Sequence, residues 1–210
     1  ISLDRQSGPA HARNVGGMHA RGDILFFTDA DVVLHPQALT EATAGFASAE
    51  NIAAVFGSYD TEPGDPALVS QYRNLLHHWV HQSGQEEAFT FWSGCGAVKK
   101  SVFQELGGFD TSFDVPSIED IELGGRIRNA GHAIRLQKSM QGTHLKQWRF
   151  WNMVKTDIFC RAVPWLGLLF GRGEFKSDLN LDTGSKLGTA AAGLMAVMMT
   201  DLLLLGQGTA

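Results

Sequence analysis

Residues 23–31 constrain the fold more than any other stretch, because a run of large apolar residues ends in two carboxylates. Residues 24–27 are Ile-Leu-Phe-Phe, which predicts a strand buried on both faces. Asp29 and Asp31 follow at the end of this strand, where ligands gather in open α/β sheets. Paired carboxylates in such a place favour Mg²⁺ or Mn²⁺ carrying a phosphate. The alternative is a turn in which one Asp caps the next helix.

Length and charge limit the classes of protein to which the chain can belong. Its 210 residues suffice for one full domain with a sizeable core. The net charge is −5 and no lysine- or arginine-rich run occurs, which argues against nucleic acid as a partner. The two cysteines, Cys95 and Cys160, have neither a metal-binding spacing nor partners for a disulfide framework, so a reducing compartment is expected.

The first half of the chain alternates predicted helices and strands. Helices are predicted over residues 9–21 and 36–50, with strands over 24–27 and 52–57. Strand, helix and strand in this order form a βαβ unit, which favours a parallel sheet.

A long helix is predicted over residues 67–82. Its apolar residues fall on one broad stripe: Leu68, Tyr72, Leu75, Leu76 and Trp79. His77 and His81 are four residues apart and could share a metal ion, but no glutamate has the spacing of a zinc-protease motif. Solvated or hydrogen-bonded histidines are the favoured interpretation.

Two later segments bear on a binding site. A strand over residues 88–98 is interrupted at Gly94-Cys95-Gly96, which indicates either close approach of a ligand to the backbone or a bulge. A helix over residues 117–129 begins near Glu119 and Asp120. Ser117 and Asp120 resemble a capping box, yet adjacent carboxylates at a helix start also suit a catalytic base.

The last third of the chain divides into a short strand and apolar helices. A strand is predicted over residues 133–136, followed by His144, Lys146 and Trp148 close together. The domain organisation predicted is a partial catalytic domain over 1–146, amphipathic interfacial helices over 147–183, and a candidate transmembrane segment over 184–210. Residues 187–205 are mostly apolar but include the charged Asp201, which makes them a poor lone span.

These motifs occur in the order found in family 2 glycosyltransferases, which the chain resembles from about residue 8 to residue 165. The matching motifs are Ala12-Arg13-Asn14, Gly22-Asp23, Asp29-Ala30-Asp31, Gly94-Cys95-Gly96, Gly107-Gly108-Phe109-Asp110, and Glu119-Asp120 with His144. The resemblance implies an α/β fold of the GT-A type, with a mostly parallel, Rossmann-like sheet flanked by helices. It also implies that the first nucleotide-binding strands lie outside this sequence.

The same resemblance implies an inverting transfer of sugar from a nucleotide-sugar donor to an acceptor hydroxyl. By position, the metal ligands would be Asp29, Asp31 and His144, and the donor-binding residues Arg13, Asn14, Asp29, Gly94 and Trp148. Asp120 would be the general base, with Glu119 as its neighbour. We expect Asp120 to face the cleft and Glu119 to be rotated away, since successive helical side chains diverge by about 100°.

The resemblance also leads to expectations about processivity and cellular location. The Gln-x-x-Arg-Trp pattern of processive members is absent, since Gln147-Trp148-Arg149 has a different spacing. A single-addition enzyme at the cytoplasmic face of the membrane is therefore favoured, with Mn²⁺ or Mg²⁺ as cofactor. The alternatives are a haloacid-dehalogenase-type phosphatase, which also uses Asp-x-Asp after a strand, and a catalytically silent scaffold fragment.

Overall fold

The computed structural model describes residues 2–3, 7–113 and 116–172. Within these ranges the chain forms a six-stranded sheet between helices. In chain order the strands are β1 (Ile24–Thr28), β2 (Val32–Leu34), β3 (Ile52–Tyr59), β4 (Glu87–Ala88), β5 (Cys95–Lys99) and β6 (Ala133–His144). The helices are α1 (Gly8–His19), α2 (Ala38–Ala47), α3 (Leu68–Ser83), α4 (Lys100–Glu105), α5 (Glu119–Asn129), α6 (Phe150–Lys155) and α7 (Val163–Arg172), with a π-helical segment, Thr156–Ala162, joining the last two.

The sheet is mixed, so the expectation of a mostly parallel sheet is wrong. The strand order is β1-β5-β3-β6-β2, and β4 pairs with β6. Only β3 and β6 pair in parallel among the described strands, and every other pairing is antiparallel. β1 and β3 run in the same direction, as the βαβ pattern predicts, but β5 lies between them in the opposite direction. Residues 95–98 of β5 are buried, which suits it to this central place.

The core lies on both faces of β3, all eight residues of which are buried. Ala54 and Phe56 face a cluster that includes side chains of α1, α4 and α5. Val55 points to the opposite face, where it packs with Ala38 and Ala42 of α2. Side chains alternate across a strand, so this pattern places helices on both sides of the sheet.

β6 is much longer than the four residues that its apolar run predicts. Arg135, Gln137 and Lys138 interrupt the run, but buried Leu136 and Met140 continue along one face. The strand therefore extends to His144 and carries that side chain to the edge of the sheet at which β1 ends. A search for continuous apolar residues underestimates the length of a strand that is exposed on one face.

α3 forms as predicted, but its apolar stripe faces outward. Leu68 is 84% exposed and Trp79 is 65% exposed, whereas Ser70, Asn74 and His81 are buried. The buried polar side chains are needed there because they hydrogen-bond to neighbouring backbone and side-chain groups. His81 Nδ1 lies 2.8 Å from the Gly57 carbonyl oxygen, which confirms the hydrogen-bonded interpretation for this histidine.

The predicted interfacial region is helical as far as the structure describes it. α6, the π-helical segment and α7 follow one another from residue 150 to residue 172. None of the helices described in residues 7–113 and 116–172 is long and apolar enough to cross a bilayer. The predicted transmembrane segment over 184–210 lies outside the described residues.

Candidate functional site

A single large cavity contains most of the predicted site residues. Its volume is about 1440 Å³. The end of β1, the start of α5, the end of β6, α3 and the C-terminal helices all contribute to its walls. Of the predicted residues, those that line it are Arg13, Asp29, Asp31, Glu119, Asp120, His144 and Trp148. Residues from both ends of the described chain therefore converge on one place.

Arg13 connects the two acidic motifs. Its Nη2 atom lies 2.8 Å from Asp29 Oδ1, and its Nη1 atom lies 2.6 Å from Glu119 Oε1. The nearby carboxylates raise the pKa of Arg13 although burial acts to lower it. The guanidinium fork can hold two carboxylates at once, which an ammonium group does less well.

Glu119 is buried at this site, so the expectation that it is rotated away from the cleft is wrong. It is 4% exposed, and it accepts hydrogen bonds from Arg13 and from the backbone N–H of Ser117. The capping-box alternative does not form, because Ser117 donates its hydroxyl hydrogen to the Cys160 carbonyl oxygen at 2.9 Å instead. Adjacent helical carboxylates can both reach the cavity because the helix starts at its wall, with Arg13 available to one of them.

Asp120 is held in a defined orientation. Its Oδ2 atom accepts hydrogen bonds from the backbone N–H of Ser93 at 3.1 Å and from the Ser93 hydroxyl at 3.3 Å. Its Oδ1 atom accepts one from the N–H of Ile121. Burial, and then the neighbouring Glu119, raise the pKa of Asp120 to about 7. A carboxylate with such a pKa can take up a proton near neutral pH.

Asp31 and His144 lie opposite each other at the ends of neighbouring strands. Asp31 Oδ2 and His144 Nε2 are 3.7 Å apart, too far for a hydrogen bond. The ring of His144 stacks on Tyr59 with centroids 4.3 Å apart, and burial lowers its pKa. A neutral imidazole beside a half-exposed carboxylate has the donor chemistry that Mn²⁺ accepts. Within the described residues, however, no three acidic, His or Cys side chains are close enough to hold a metal ion alone.

Two of the predicted donor-binding residues, Asn14 and Gly94, contact other parts of the protein and do not line the cavity. The Asn14 amide donates to the Phe109 carbonyl oxygen and accepts from the Phe109 N–H, both at 2.8 Å. A Cβ atom at Gly94 would lie 2.4 Å from the ring of Trp92. The space left by Gly94 is thus filled by a side chain of the protein, and neither Asn14 nor Gly94 lines the cavity.

Trp148 lies at the cavity wall and is 6% exposed. Its backbone N–H donates to Ser70 Oγ at 2.7 Å, and Lys146 Nζ lies 4.3 Å from its ring centroid. Sequence reasoning missed Ser93 and Tyr59, which hold Asp120 and His144 respectively. No local pattern marks them, although Ser93 immediately precedes the glycine pair of residues 94–96.

Comparisons with known proteins agree with this geometry. The family model for glycosyl transferase family 2 matches residues 1–107. The probable glycosyltransferase YdaM of Bacillus subtilis (strain 168) is 28% identical over 134 residues, covering 61% of this chain and 31% of that protein. The chain therefore spans about a third of the length of this curated relative.

Solved structures show the same fold. The mannosyltransferase PcManGT from Pyrobaculum calidifontis, solved with GDP-Man and Mn²⁺, superposes with a TM-score of 0.60 at 22% identity, over 99% of this chain and 61% of that one. GalNAc-T7, solved with UDP, GalNAc and Mn²⁺, gives a TM-score of 0.53 at 16% identity, over 71% of this chain and 32% of that one. The fold is thus the GT-A type implied by the motifs. The family model covers half of the sequence, so the chain belongs to glycosyl transferase family 2.

Proposed function

We propose that the protein transfers a sugar from a nucleotide-sugar donor to an acceptor hydroxyl, with inversion at the anomeric carbon. The observation that carries this proposal is the pair of contacts made by Arg13, which joins Asp29 of one acidic motif to Glu119 of the other in one cavity. Asp120 follows Glu119 directly, so a candidate proton acceptor stands beside a candidate diphosphate site.

Asp120 is the proposed general base. In an inverting transfer the acceptor oxygen attacks the anomeric carbon as the bond to the diphosphate breaks, and the hydroxyl proton must leave. The carboxylate of Asp120 takes that proton, a role that contributes roughly 10²–10⁴-fold to a rate. The N–H and hydroxyl of Ser93 hold the carboxylate in place while this happens.

Asp31 and His144 are the proposed residues that hold a divalent cation, with Asp29 beside them. Both structural relatives were solved with Mn²⁺, and a carboxylate with a neutral imidazole suits that ion. When bound, the cation supplies positive charge that stabilises the departing diphosphate. Arg13 adds fixed positive charge, and its two carboxylate contacts keep Asp29 and Glu119 oriented.

The proposal includes single addition of sugar and association with the cytoplasmic face of a membrane. Support for single addition comes from the spacing of Gln147-Trp148-Arg149, and support for membrane association from the exposed apolar residues of α6 and α7. The partners proposed are the donor, an acceptor of unidentified class and the membrane. The acidic net charge gives no support for nucleic acid as a partner.

The test is release of nucleotide from a panel of UDP- and GDP-sugars with Mn²⁺, combined with assignment of the product anomer by NMR. Inversion of the anomeric configuration would support the mechanism, and retention would refute it. Phosphate release from a phosphomonoester would favour the phosphatase instead. Donor binding without turnover across a broad acceptor panel would favour the scaffold.

A further inference from the structure

The exposed apolar face of α3 is unusual for a helix packed on a sheet. The face consists of Leu68, Tyr72, Leu75 and Trp79. These residues are spaced by four, three and four positions, so they lie on one side of the helix. Their exposed fractions are 84% for Leu68, 55% for Tyr72, 40% for Leu75 and 65% for Trp79. A helix in this position ordinarily turns such a stripe toward the core.

The opposite face of α3 prevents the helix from turning its stripe inward. Asn74 donates to the Asp60 carbonyl oxygen at 2.9 Å, while His78 and His81 pair with the carbonyl oxygens of Tyr59 and Gly57. Turning the stripe inward would break these hydrogen bonds and leave the carbonyl acceptors at the sheet without these donors, a free-energy cost that burial of the apolar stripe would have to offset. Among the residues that the structure describes, the stripe is therefore left exposed by the way α3 packs on the sheet.

A second exposed apolar set lies on the C-terminal helices, which contact α3. Its members are Phe150, Trp151, Ile158, Phe159, Val163 and Leu166. Arg73 of α3 contacts Asp157 of the π-helical segment at 2.8 Å, so the two elements are neighbours. Trp79, Arg161 and Trp165 also line the same cavity, so both elements stand at its rim.

The charges of the C-terminal segment indicate which occupant the surface fits. Residues 146–172 contain five basic side chains (Lys146, Arg149, Lys155, Arg161 and Arg172) and one acidic side chain, Asp157, in a chain of net charge −5. Aromatic and leucine side chains beside lysine and arginine are the composition of segments that lie on anionic bilayers. A second copy of the chain would bring two such basic segments together, and like charges oppose that association.

We propose that the stripe of α3 and the apolar residues of α6–α7 together form a docking surface for an anionic lipid bilayer, which positions the cavity rim at the membrane. This inference rests on the proposed membrane association and adds α3 as a second contact. The added contact would limit rotation of the domain on the bilayer, because a second element then touches the lipid.

The test places a nitroxide spin label on α3 in the full chain. Leu75→Cys carries the label in a Cys160→Ser background; Cys95 remains unlabelled because it is buried, which raises its pKa to about 12. The matched control is Leu39→Cys on α2, which is 60% exposed and outside the proposed surface. With vesicles containing phosphatidylserine, the label at residue 75 should gain collisions with oxygen and lose collisions with a nickel chelate, while the label at residue 39 should not.

Each outcome decides the proposal. If the protein floats with the vesicles while the label at residue 75 stays accessible to nickel, α3 is not a lipid contact. The proposed membrane association would then be retained without α3. If the protein does not float, the membrane association and the α3 contact are both refuted. The proposed transferase activity is tested separately, by nucleotide release. Protection of residue 75 without vesicles would mean that another protein surface covers the stripe. In flotation titrations, Leu75→Gln should weaken binding by up to about tenfold and Leu39→Gln should not.

Discussion

Arg13 and Glu119 are 106 positions apart in the sequence, and their side chains meet at 2.6 Å between Nη1 and Oε1. The Arg13 side chain is 17% exposed and that of Glu119 is 5% exposed, so the contact is largely shielded from water. The second contact of Arg13, to Asp29, extends this ion pair to the end of β1. A single guanidinium thus keeps two acidic motifs close together without mutual repulsion.

We predict that Arg13→Ala lowers the free energy of unfolding by about 3 kcal/mol, because it leaves the Glu119 carboxylate buried without its partner. Urea unfolding measures the change. Arg135→Ala is the matched control, since Arg135 pairs with Glu86, whose side chain is 58% exposed, and should cost less than about 1 kcal/mol. Equal losses in the two variants would show that the Arg13–Glu119 contact is no stronger than a surface ion pair.

A second prediction concerns Gly94, which directly precedes β5. Gly94→Ala should lower stability, because the added Cβ would lie 2.4 Å from the Trp92 ring. In a Trp92→Leu background the same substitution should cost less, since the smaller side chain leaves room; neighbouring sites are non-additive in this way. Thermal unfolding of the four proteins in this cycle provides the measurement. An equal loss in both backgrounds would contradict the assigned clash.

The third prediction tests the proposed cation site. Asp31→Asn and His144→Gln should each raise the Mn²⁺ concentration needed for half-maximal nucleotide release while leaving the fold intact. Isothermal titration of Mn²⁺ in the presence of the nucleotide gives a second readout that does not depend on turnover. His132→Gln is the control, since His132 lies outside the cavity. An unchanged Mn²⁺ requirement in both site variants would remove Asp31 and His144 as ligands.

The sequence predicts those parts of the fold that depend on local pattern. β1 and the acidic pair after it are predictable because four large apolar residues adjoin the carboxylates. The position of β5 between β1 and β3 is not, because strand order depends on contacts between distant segments. The outward direction of the α3 stripe has a similar origin, since periodicity identifies an apolar face but does not determine what covers it.

The candidate site also combines features that local motifs predict with features that depend on tertiary contacts. Its acidic residues and His144 are predictable from motifs, and they do line one cavity. The contact between Arg13 and Glu119 and the support of Asp120 by Ser93 come from tertiary packing, which no spacing encodes. The resemblance places Gly94 at the donor, but the group that occupies the space beside Gly94 is the ring of Trp92, which the motif does not specify.

The pKa of Asp120 leads to a prediction about stability and pH. Because the folded-state pKa is raised from its ordinary value of 3.8 to about 7, the folded protein binds more protons than the unfolded chain between these values. Stability should therefore fall as pH rises through this window, and the contribution of Asp120 should reach its full unfavourable value above pH 7. Asp120→Asn removes this contribution, so the difference in stability between wild type and variant should change with pH across the same range. A constant difference would contradict the raised pKa.

The last prediction assigns the base. With Asp120 as base, kcat/KM should rise about tenfold per pH unit below pH 7 and level off above it. Asp120→Asn should lose at least about 10²-fold in kcat with donor affinity nearly unchanged, because the amide has the size of the carboxylate but accepts no proton. Glu119→Gln is the comparison, because Glu119 is occupied by Arg13 and should affect orientation and stability more than proton transfer. Pre-steady-state kinetics with donor binding measured separately decides between them: a Glu119→Gln variant with the lower chemical rate would transfer the role of base to Glu119.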